Sequence, residues 1–571
     1  MPYTNCKVHM EIIDTSAIED GVISSESNAE IGELQLLKEK AVVPTYGIPD
    51  LNAFLLDGSQ SIMEDATEIP FISDMVSEND CTFLENPVIA VAFTAAHTSA
   101  GITLHFVKDY PAELIIAWYD LDGFLITSAT FYPDALEYFC KCQVSDYGKV
   151  IIEFVKTRLP GQRVHCRYVM YGKEMDWASD TIKEASIDEE IDITSSTIPI
   201  NSASISIVDR DNEFELSNQR GLWRSIQKKQ RLTITEVVSG KAVTCGVLYI
   251  DSWRSTGNIV RFSLIDRMGL IDKTLYYAGQ IFTDVIAGDI IDSIMLSAGV
   301  EDYTVSDEVR NVLLTGYLPI CTHREALQQV VFACGAVVSC CRSGSIYIYM
   351  PDRYADSTIG TDRKFMGTTI EIDDYVSGVS IGYKRYRLKD EVVEIFEDVL
   401  PAGNSLIEFT DPYTDIEISA GSILEASTNY VKVRMEEPGK VVVSGKKYET
   451  IEVTHTVSVE HIEAGEEANI ISYEGCTLFN AVRVKEVAER ILSYYQLRQI
   501  VSLRYLLDEE KAGDWVNIVD VRGNIATSGI MRQSIDLTGG YIASAICRGY
   551  SKVTTESAYT GEIYAGERGL L

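Results

Sequence analysis

Between residues 86 and 161 apolar and polar side chains alternate with the two-residue period of a half-buried strand. Ile102, Leu104 and Phe106 alternate with Thr103, His105 and Val107, while Val150, Ile152 and Phe154 share a face opposite Glu153. The runs AELIIAWYD and FLITSATF are separated by Leu121, Asp122 and Gly123, which predicts a hairpin. Short strands with turns between them predict a β-sandwich, bounded by Pro160-Gly161. The pattern continues through 162–275. Arg167 to Trp177 reads as a hairpin turning at Tyr171-Gly172, and Ala203–Val208 and Arg231–Val237 read as strands. Val243–Ile250 and Asn258–Ile265 form a further pair around Ser255-Thr256-Gly257.

From 276 to 365 the period changes. Ile290, Ile291, Ile294, Met295 and Ala298 follow helical spacing, with Gly299 just past the end. A second helix opens with the capping box Thr322-x-x-Glu325, shows Ala326, Leu327, Val330, Val331 and Cys334 on one face, and stops at Gly335. A hairpin follows, Val337–Cys341 with Ser345–Met350. Strands return at Val376–Arg387 and Val392–Glu397, which read as a pair, and 400–480 reads as an inserted β-unit. Ala481–Arg498 is the clearest helix, with the stripe Val484, Val487, Ala488, Ile491, Leu492, Tyr495 and an expected Glu486–Arg490 ion pair. Val501–Leu506, Trp515–Val519, Ile530–Leu537 and Tyr541–Arg548 read as closing strands. Residues 1–85 read as an acidic arm and 551–571 as a tail.

Composition sharpens this picture. A chain of 571 residues holds about three to five domains at ~100–200 residues each. Thirty-one Tyr and dense Val and Ile suit β-structure. The net charge is −36, and residues 1–100 carry 17 Asp or Glu against 3 Lys or Arg. Such a surface repels phosphate, which argues against sequence-driven nucleic-acid binding and against anionic membranes. The twelve Cys show no CxxC pair, so buried thiols made in a reducing cytoplasm are expected, without structural zinc. The start, MPYTNCKVHMEIIDTS, lacks the basic and apolar regions of a secretory leader, and no apolar run is long enough for a spanning helix.

Signatures of chemistry are scarce. GxSxG, HExxH and GxGxxG are absent. Gly439 to Lys446 has one residue too many for a phosphate loop and reads as a strand ending in a turn. No two of the seven His lie at i,i+4. His165-Cys166 with Cys245 is a lone combination short of a ligand set, and Asp209–Glu213 reads as a solvated turn rather than a calcium loop. No catalytic residue, cofactor or metal is expected. The one candidate binding group is Trp118, Tyr119 and Tyr132 in the first sandwich, aromatic faces on which a sugar can stack, against core packing for Trp118.

From Gln162 onward the order of several stretches resembles the tail-hub proteins of phages and related contractile injection devices. They are RYVMYGKEM (167–175), SISIVDRDNEF (204–214), LWRSIQKKQRLTITE (222–236), GVLYIDSWRS (246–255), VRFSLIDRMGLIDK (260–273), GYLPICTHREALQQVVFACGAVV (316–338), VAERILSYYQLRQ (487–499), GDWVNI and IDLTGGYIASAICRGY (535–550). The resemblance implies a mainly β, multidomain chain with two tail-tube-like β-barrel domains, at 162–275 and at 366–399 with 481–550, joined by an α/β connector at 276–365. The first sandwich is similar to galactose-binding-like modules. The resemblance further implies a non-enzymatic baseplate hub at a virion tail tip, homotrimeric, joining a hexameric tube to a three-fold tip. Its expected partners are a tail-tube or distal tail protein, a tape measure protein and a spike or fibre. Phage DNA would pass through without specific binding, a passage the acidity suits. The alternative is a peripheral adhesin that binds host cell-surface carbohydrate through the sandwich.

Overall fold

In the computed structural model the described residues are 4–29, 33–38, 70–107, 109–215, 217–218, 221–226, 229–479, 482–520 and 523–552. The expected tail, apart from its first two residues, and residues 39–69 of the expected arm lie outside them. Residue contacts divide the chain into two units: His9–Asp176 with Asp209–Gln230, and Met1–Val8, Trp177–Val208 and Arg231–Leu571. The protein is mainly β, with several sheets, and among the described residues it contains no closed barrel.

The smaller unit is built on two long strands, Val88–Phe106 and Glu137–Lys156, whose ladder breaks register at Ala92/His97, His97/Ser99 and Ser99/Gly101. These breaks let each strand serve two layers. One half pairs with Val22–Ser24 and Glu113–Tyr119, the other with His165–Met170. Ile89, Ile116, Val150 and Phe154 from one layer share a core with Leu104, Cys140 and Cys166 from the other. The predicted hairpin Glu113–Tyr119/Leu125–Phe131 forms. Parts of the expected arm enter this unit, because Ala17, Ile23, Leu37 and Phe71 are buried in the same core.

The expected hairpin at Tyr171-Gly172 does not form. His165–Met170 pairs with Val88–Phe106 and Phe71–Ile72, not with Gly172–Ala178. Gly172 (φ +144°) is a close crossing rather than a turn, since a Cβ there would lie 2.0 Å from the Ile12 carbonyl.

In the larger unit, strands from both expected tube-like domains join one sheet, in place of two barrels. Its path runs Thr369–Ile372, Gln499–Leu506, Ile542–Lys552, Ile525–Asp536, Ile182–Glu190, Ser202–Val208, Ile259–Ile265, Lys241–Thr256, Arg231–Val238 and on to Thr4–Ile13, whose residues 4–8 belong to this unit. The two halves meet at the antiparallel ladder Ser186↔Asp536 through Glu190↔Arg532. One face is apolar, from Ile187, Ile205, Phe262 and Leu264 to Leu503, Ile535 and Ala543.

Helices Ala287–Ala298 and His323–Cys334 form where predicted. Gly299 (φ +67°) and Gly335 (φ +71°) close them, and the Thr322–Glu325 capping box is present. Their buried faces share a core with helix Arg483–Tyr495 and with Val379 and Ile381. The expected Glu486–Arg490 pair is replaced. Glu486 binds Arg483, while Arg490 turns inward and donates to the Ile193 carbonyl at 2.8 Å. The segments 376–387 and 392–397 do not pair with each other. They fall largely on one strand, Gly378–Leu400, laddered to Gly439–Ser458 in a sheet of its own rather than in the large sheet. The inserted unit has its own small core of Ile407, Phe409, Val431, Val433, Val441 and Val443.

Candidate functional site

The face of the large sheet opposite its apolar side is rich in hydroxyls. Cross-strand partners share a face in an antiparallel ladder, so the registers give its rows directly. Arg504, Ser544, Ser534, Asp188 and Ser202 form one. Asp536, Ser186, Ser204, Ser263 and Ser252 form the next. Glu184, Ser206, Arg261 and Arg254 form a third. Ser252, Ser263, Ser534 and Ser544 are exposed. Arg261 Nη2 meets Glu184 Oε2 at 2.6 Å, and its Nε donates to Ser206 at 2.9 Å. A groove of about 570 Å³ crosses this face between Asp188, Ser534, Ser544 and Thr369. Both charge signs stand among the serines, so the acid excess of the sequence is not concentrated here.

The sheet ends at Thr369–Ile372, whose residues are all exposed. Ile370 stands opposite Val501 and hence on the apolar side, yet it is 55 % exposed, and Ile372 on the same side is 68 % exposed. Among the described residues the Thr369–Ile372 strand is paired on one side alone, and the apolar layer runs out exposed there.

A polar network is buried where the two halves meet. Glu189 (1 % exposed) receives Arg342 Nε at 3.1 Å and Gln533 Nε2 at 2.6 Å. Gln533 accepts from the Tyr505 hydroxyl at 3.0 Å and donates to the Glu510 carbonyl at 3.0 Å. Glu510 meets Arg363 at 2.7 Å. Burial works against the Arg342 charge, but the Glu189 carboxylate beside it holds the guanidinium above its ordinary range. Burial likewise opposes the Glu510 charge, and Arg363 outweighs it, leaving that carboxyl below its ordinary range. The network joins the Ile182–Glu190 strand, the Ile525–Asp536 strand and the connector hairpin that carries Arg342.

Elsewhere, the smaller unit brings Ser16, His97, Asp14 and Asp20 together. His97 Nδ1 lies 3.0 Å from Asp14 Oδ2, and Nε2 lies 3.0 Å from Asp20 Oδ2. The Ser16 hydroxyl donates to Asp14 at 2.5 Å and stands 3.4 Å from the ring. Thr94, the Ala95 amide and His97 hold the Asp20 carboxyl well below its usual range. Each ring nitrogen already has a carboxylate, and the hydroxyl is committed to Asp14. The cluster ties helix Thr15–Asp20 to strand Val88–Phe106. His9, Glu11 and Glu174 have the mutual spacing of metal ligands. Glu11 and Asp176 push His9 up to about 9 against the opposing effect of burial.

The sequence candidates separate. Trp118 is wholly buried in the core, where no sugar can reach it, because its strand alternates inward at Leu114, Ile116 and Trp118. Tyr119 is half-buried on the other face, and Tyr132 is exposed. Gly439–Lys446 lies in the strand Gly439–Ser458. Asp209 accepts from the amides of Glu213 (3.0 Å) and Phe214 (2.8 Å), so a turn forms, but Asp209 is buried and the solvated part is Arg210–Asn212. His165 and Cys166 belong to one unit and Cys245 to the other. All twelve cysteines are free thiols, and burial pushes Cys166, Cys334 and Cys547 up to about 12. No helix among the described residues is long and apolar enough to cross a membrane. Sequence reading missed the Glu189 network and the serine face. Strand parity carried a signal for both: Glu189 falls in step with Ala185 and Ile187, and Ser202, Ser204 and Ser206 alternate with Ala203, Ile205 and Ile207.

No protein-family model and no curated protein matches the chain. Solved structures that align with it include a tail protein from Neisseria meningitidis MC58, at 12 % identity and TM-score 0.41 over 66 % of this chain and 93 % of that one. A 43 kDa tail protein of prophage MuSo2 from Shewanella oneidensis aligns at 12 % and 0.37 over 64 % and 93 %. The prophage tail protein gp18 from Listeria monocytogenes aligns at 8 % and 0.35 over 64 % and 94 %. Likenesses of this size assign the chain to no family.

Proposed function

We propose that this chain is a structural subunit of a phage-type tail tip, a baseplate hub that assembles as a homotrimer and lines part of the conduit for DNA. The observation that carries this reading is the large sheet. It draws strands from both halves of the chain, buries one face, leaves the other as a hydroxyl-rich surface of mixed charge, and stops at an edge with its apolar layer uncovered. Hydroxyls and balanced charge give a passing polyanion neither a basic stripe to adhere to nor a strong barrier. An open edge with exposed Ile370 and Ile372 favours association with another copy, and a closed ring of copies leaves no free edge. The sequence resemblance supplies the setting: a virion tail tip made in a bacterial cytoplasm, with a tail-tube or distal tail protein, a tape measure protein and a spike or fibre as neighbours. No catalytic step belongs to this role.

The test is the mass of the purified full chain by light scattering, followed by a map of the assembled tip. Three copies of the 63.5 kDa chain around the tail axis, with the serine face toward that axis, is the expected result. A monomer unchanged by Ile370→Lys, or a chain confined to the tip's periphery, would sink it and promote the adhesin reading.

A further inference from the structure

A second buried carboxylate, Glu236, lies far from the Glu189 network in sequence and has none of its partners. Its strand, Arg231–Val238, buries Leu232, Ile234 and Glu236 on one face, each at 0 % exposure. Both Glu236 carboxylate oxygens lack a hydrogen-bond partner. What faces it is thiol. Cys6 stands on the Thr4–Ile13 strand and Cys245 on the Lys241–Thr256 strand, and burial pushes them up to about 12 and about 11, so both are neutral. Arg342 and Tyr541 act on Cys245. Burial pushes Glu236 itself up to about 7, and the nearby amide of Asn5 offsets this only in part.

The surroundings also point to where this stress is released. The Arg231–Val238 strand is held on one side by the ladder to Lys241–Thr256, which is already interrupted between Ile234 and Thr235, opposite the extra residue Cys245. On its other side lies the Thr4–Ile13 strand, of which this unit holds only residues 4–8. An ionised carboxylate without a partner in an apolar site needs water, and residues 4–8 carry groups that lie against it, Cys6 and the Asn5 amide.

We propose that Glu236 is a proton-controlled latch on the N-terminal strand: neutral, it lets residues 4–8 lie closed on Arg231–Val238, and ionised, it drives that pairing open. The carboxyl is ionised more readily in the open state, where its ordinary value of 4.5 returns, than in the closed state at about 7. Closure is therefore favoured fully below about pH 4.5, weakens as pH rises, and changes no further above about 7. This inference does not depend on the hub assignment.

Hydrogen exchange of the Thr4–Val8 amides in the full chain, corrected for intrinsic exchange, reads it out. Opening should increase by about tenfold per pH unit between about pH 5 and 7 and level off above that. Glu236→Gln, and Glu236→Leu as a second variant should the amide pack poorly, should abolish that rise while leaving these amides as protected as at acid pH. A wild-type profile flat with pH, or a rise that persists in both variants, would overturn the proposal.

Discussion

Two carboxylates lie on the apolar side of the same large sheet under opposite conditions. Glu189, at the junction of the two halves, is 1 % exposed and engaged by Arg342 and Gln533. Glu236, toward the far end of the strand path, is 0 % exposed and has no hydrogen bond. Depth of burial is the same, so partners alone distinguish a carboxylate that pins a junction from one that strains it. Removing one member of a satisfied buried pair strands a charge, whereas removing a carboxylate that never had a partner relieves a penalty. The comparison thus predicts substitutions of opposite sign at two positions that hydropathy would score alike.

The largest effect belongs to the junction. Arg342→Ala leaves Glu189 and the Glu510 carbonyl without their guanidinium and should destabilise the chain by about 3–5 kcal/mol. A chemical-denaturation midpoint would register the loss, and a shift below about 1 kcal/mol would mean that Gln533 alone satisfies Glu189.

Next comes the opposite sign. Glu236→Leu should stabilise by about 1–4 kcal/mol near pH 8, where the native carboxylate is ionised. Because burial raises this carboxyl to about 7, its penalty grows as pH climbs from about 4.5 and is small near pH 5. The gain should shrink accordingly in melts at the lower pH. A destabilised leucine variant at pH 8 would show that Glu236 contributes to packing that the comparison ignores.

A smaller change tests whether the junction network acts through its remote members. The Tyr505 hydroxyl donates to Gln533 and, among the described residues, makes no other hydrogen bond. Tyr505→Phe removes one buried hydrogen bond, keeps the ring, and should lower stability by about 1 kcal/mol. Combined with Arg342→Ala it should be less than additive, because the two side chains share Gln533 and Glu189 in one network. Strict additivity would separate them.

How much of this was legible in the sequence follows the range of each signal. The Thr322–Glu325 box, the glycine stops at Gly299 and Gly335 and the hairpin around Leu121–Gly123 depend on residues within a few positions of one another, and the structure contains each of them. The expectations that failed needed distant partners. Tyr171-Gly172 looks like a turn until Ile12 is placed against it, and Glu486–Arg490 looks like a pair until Ile193 offers a carbonyl. Val376–Arg387 and Val392–Glu397 read as two strands because their partner, Gly439–Ser458, lies beyond the local window. Trp118 suits either a ligand or the core by sequence, and the buried parity of Leu114, Ile116 and Trp118 decides for the core. The merging of two expected barrels into one sheet rests on the Ile182–Glu190/Ile525–Asp536 ladder, a pairing across some 340 residues that no periodicity encodes.

The smallest expected effect lies on the opposite face of that sheet. Arg261 and Glu184 also form an ion pair, at 2.6 Å, shorter than the 3.1 Å contact between Arg342 and Glu189. Distance alone would rank the outer pair stronger. Their side chains are 38 % and 59 % exposed, however, so water screens the attraction and each charge keeps its hydration when the other is removed. Arg261→Ala should therefore change stability by no more than about 0.5 kcal/mol, and the residual effect should fade in high salt. The Arg342→Ala loss, set in a dry site, should persist in the same salt. If the two variants lost similar stability, or responded alike to salt, exclusion of water would not be what separates the two faces, and the contrast between Glu189 and Glu236 would need another cause.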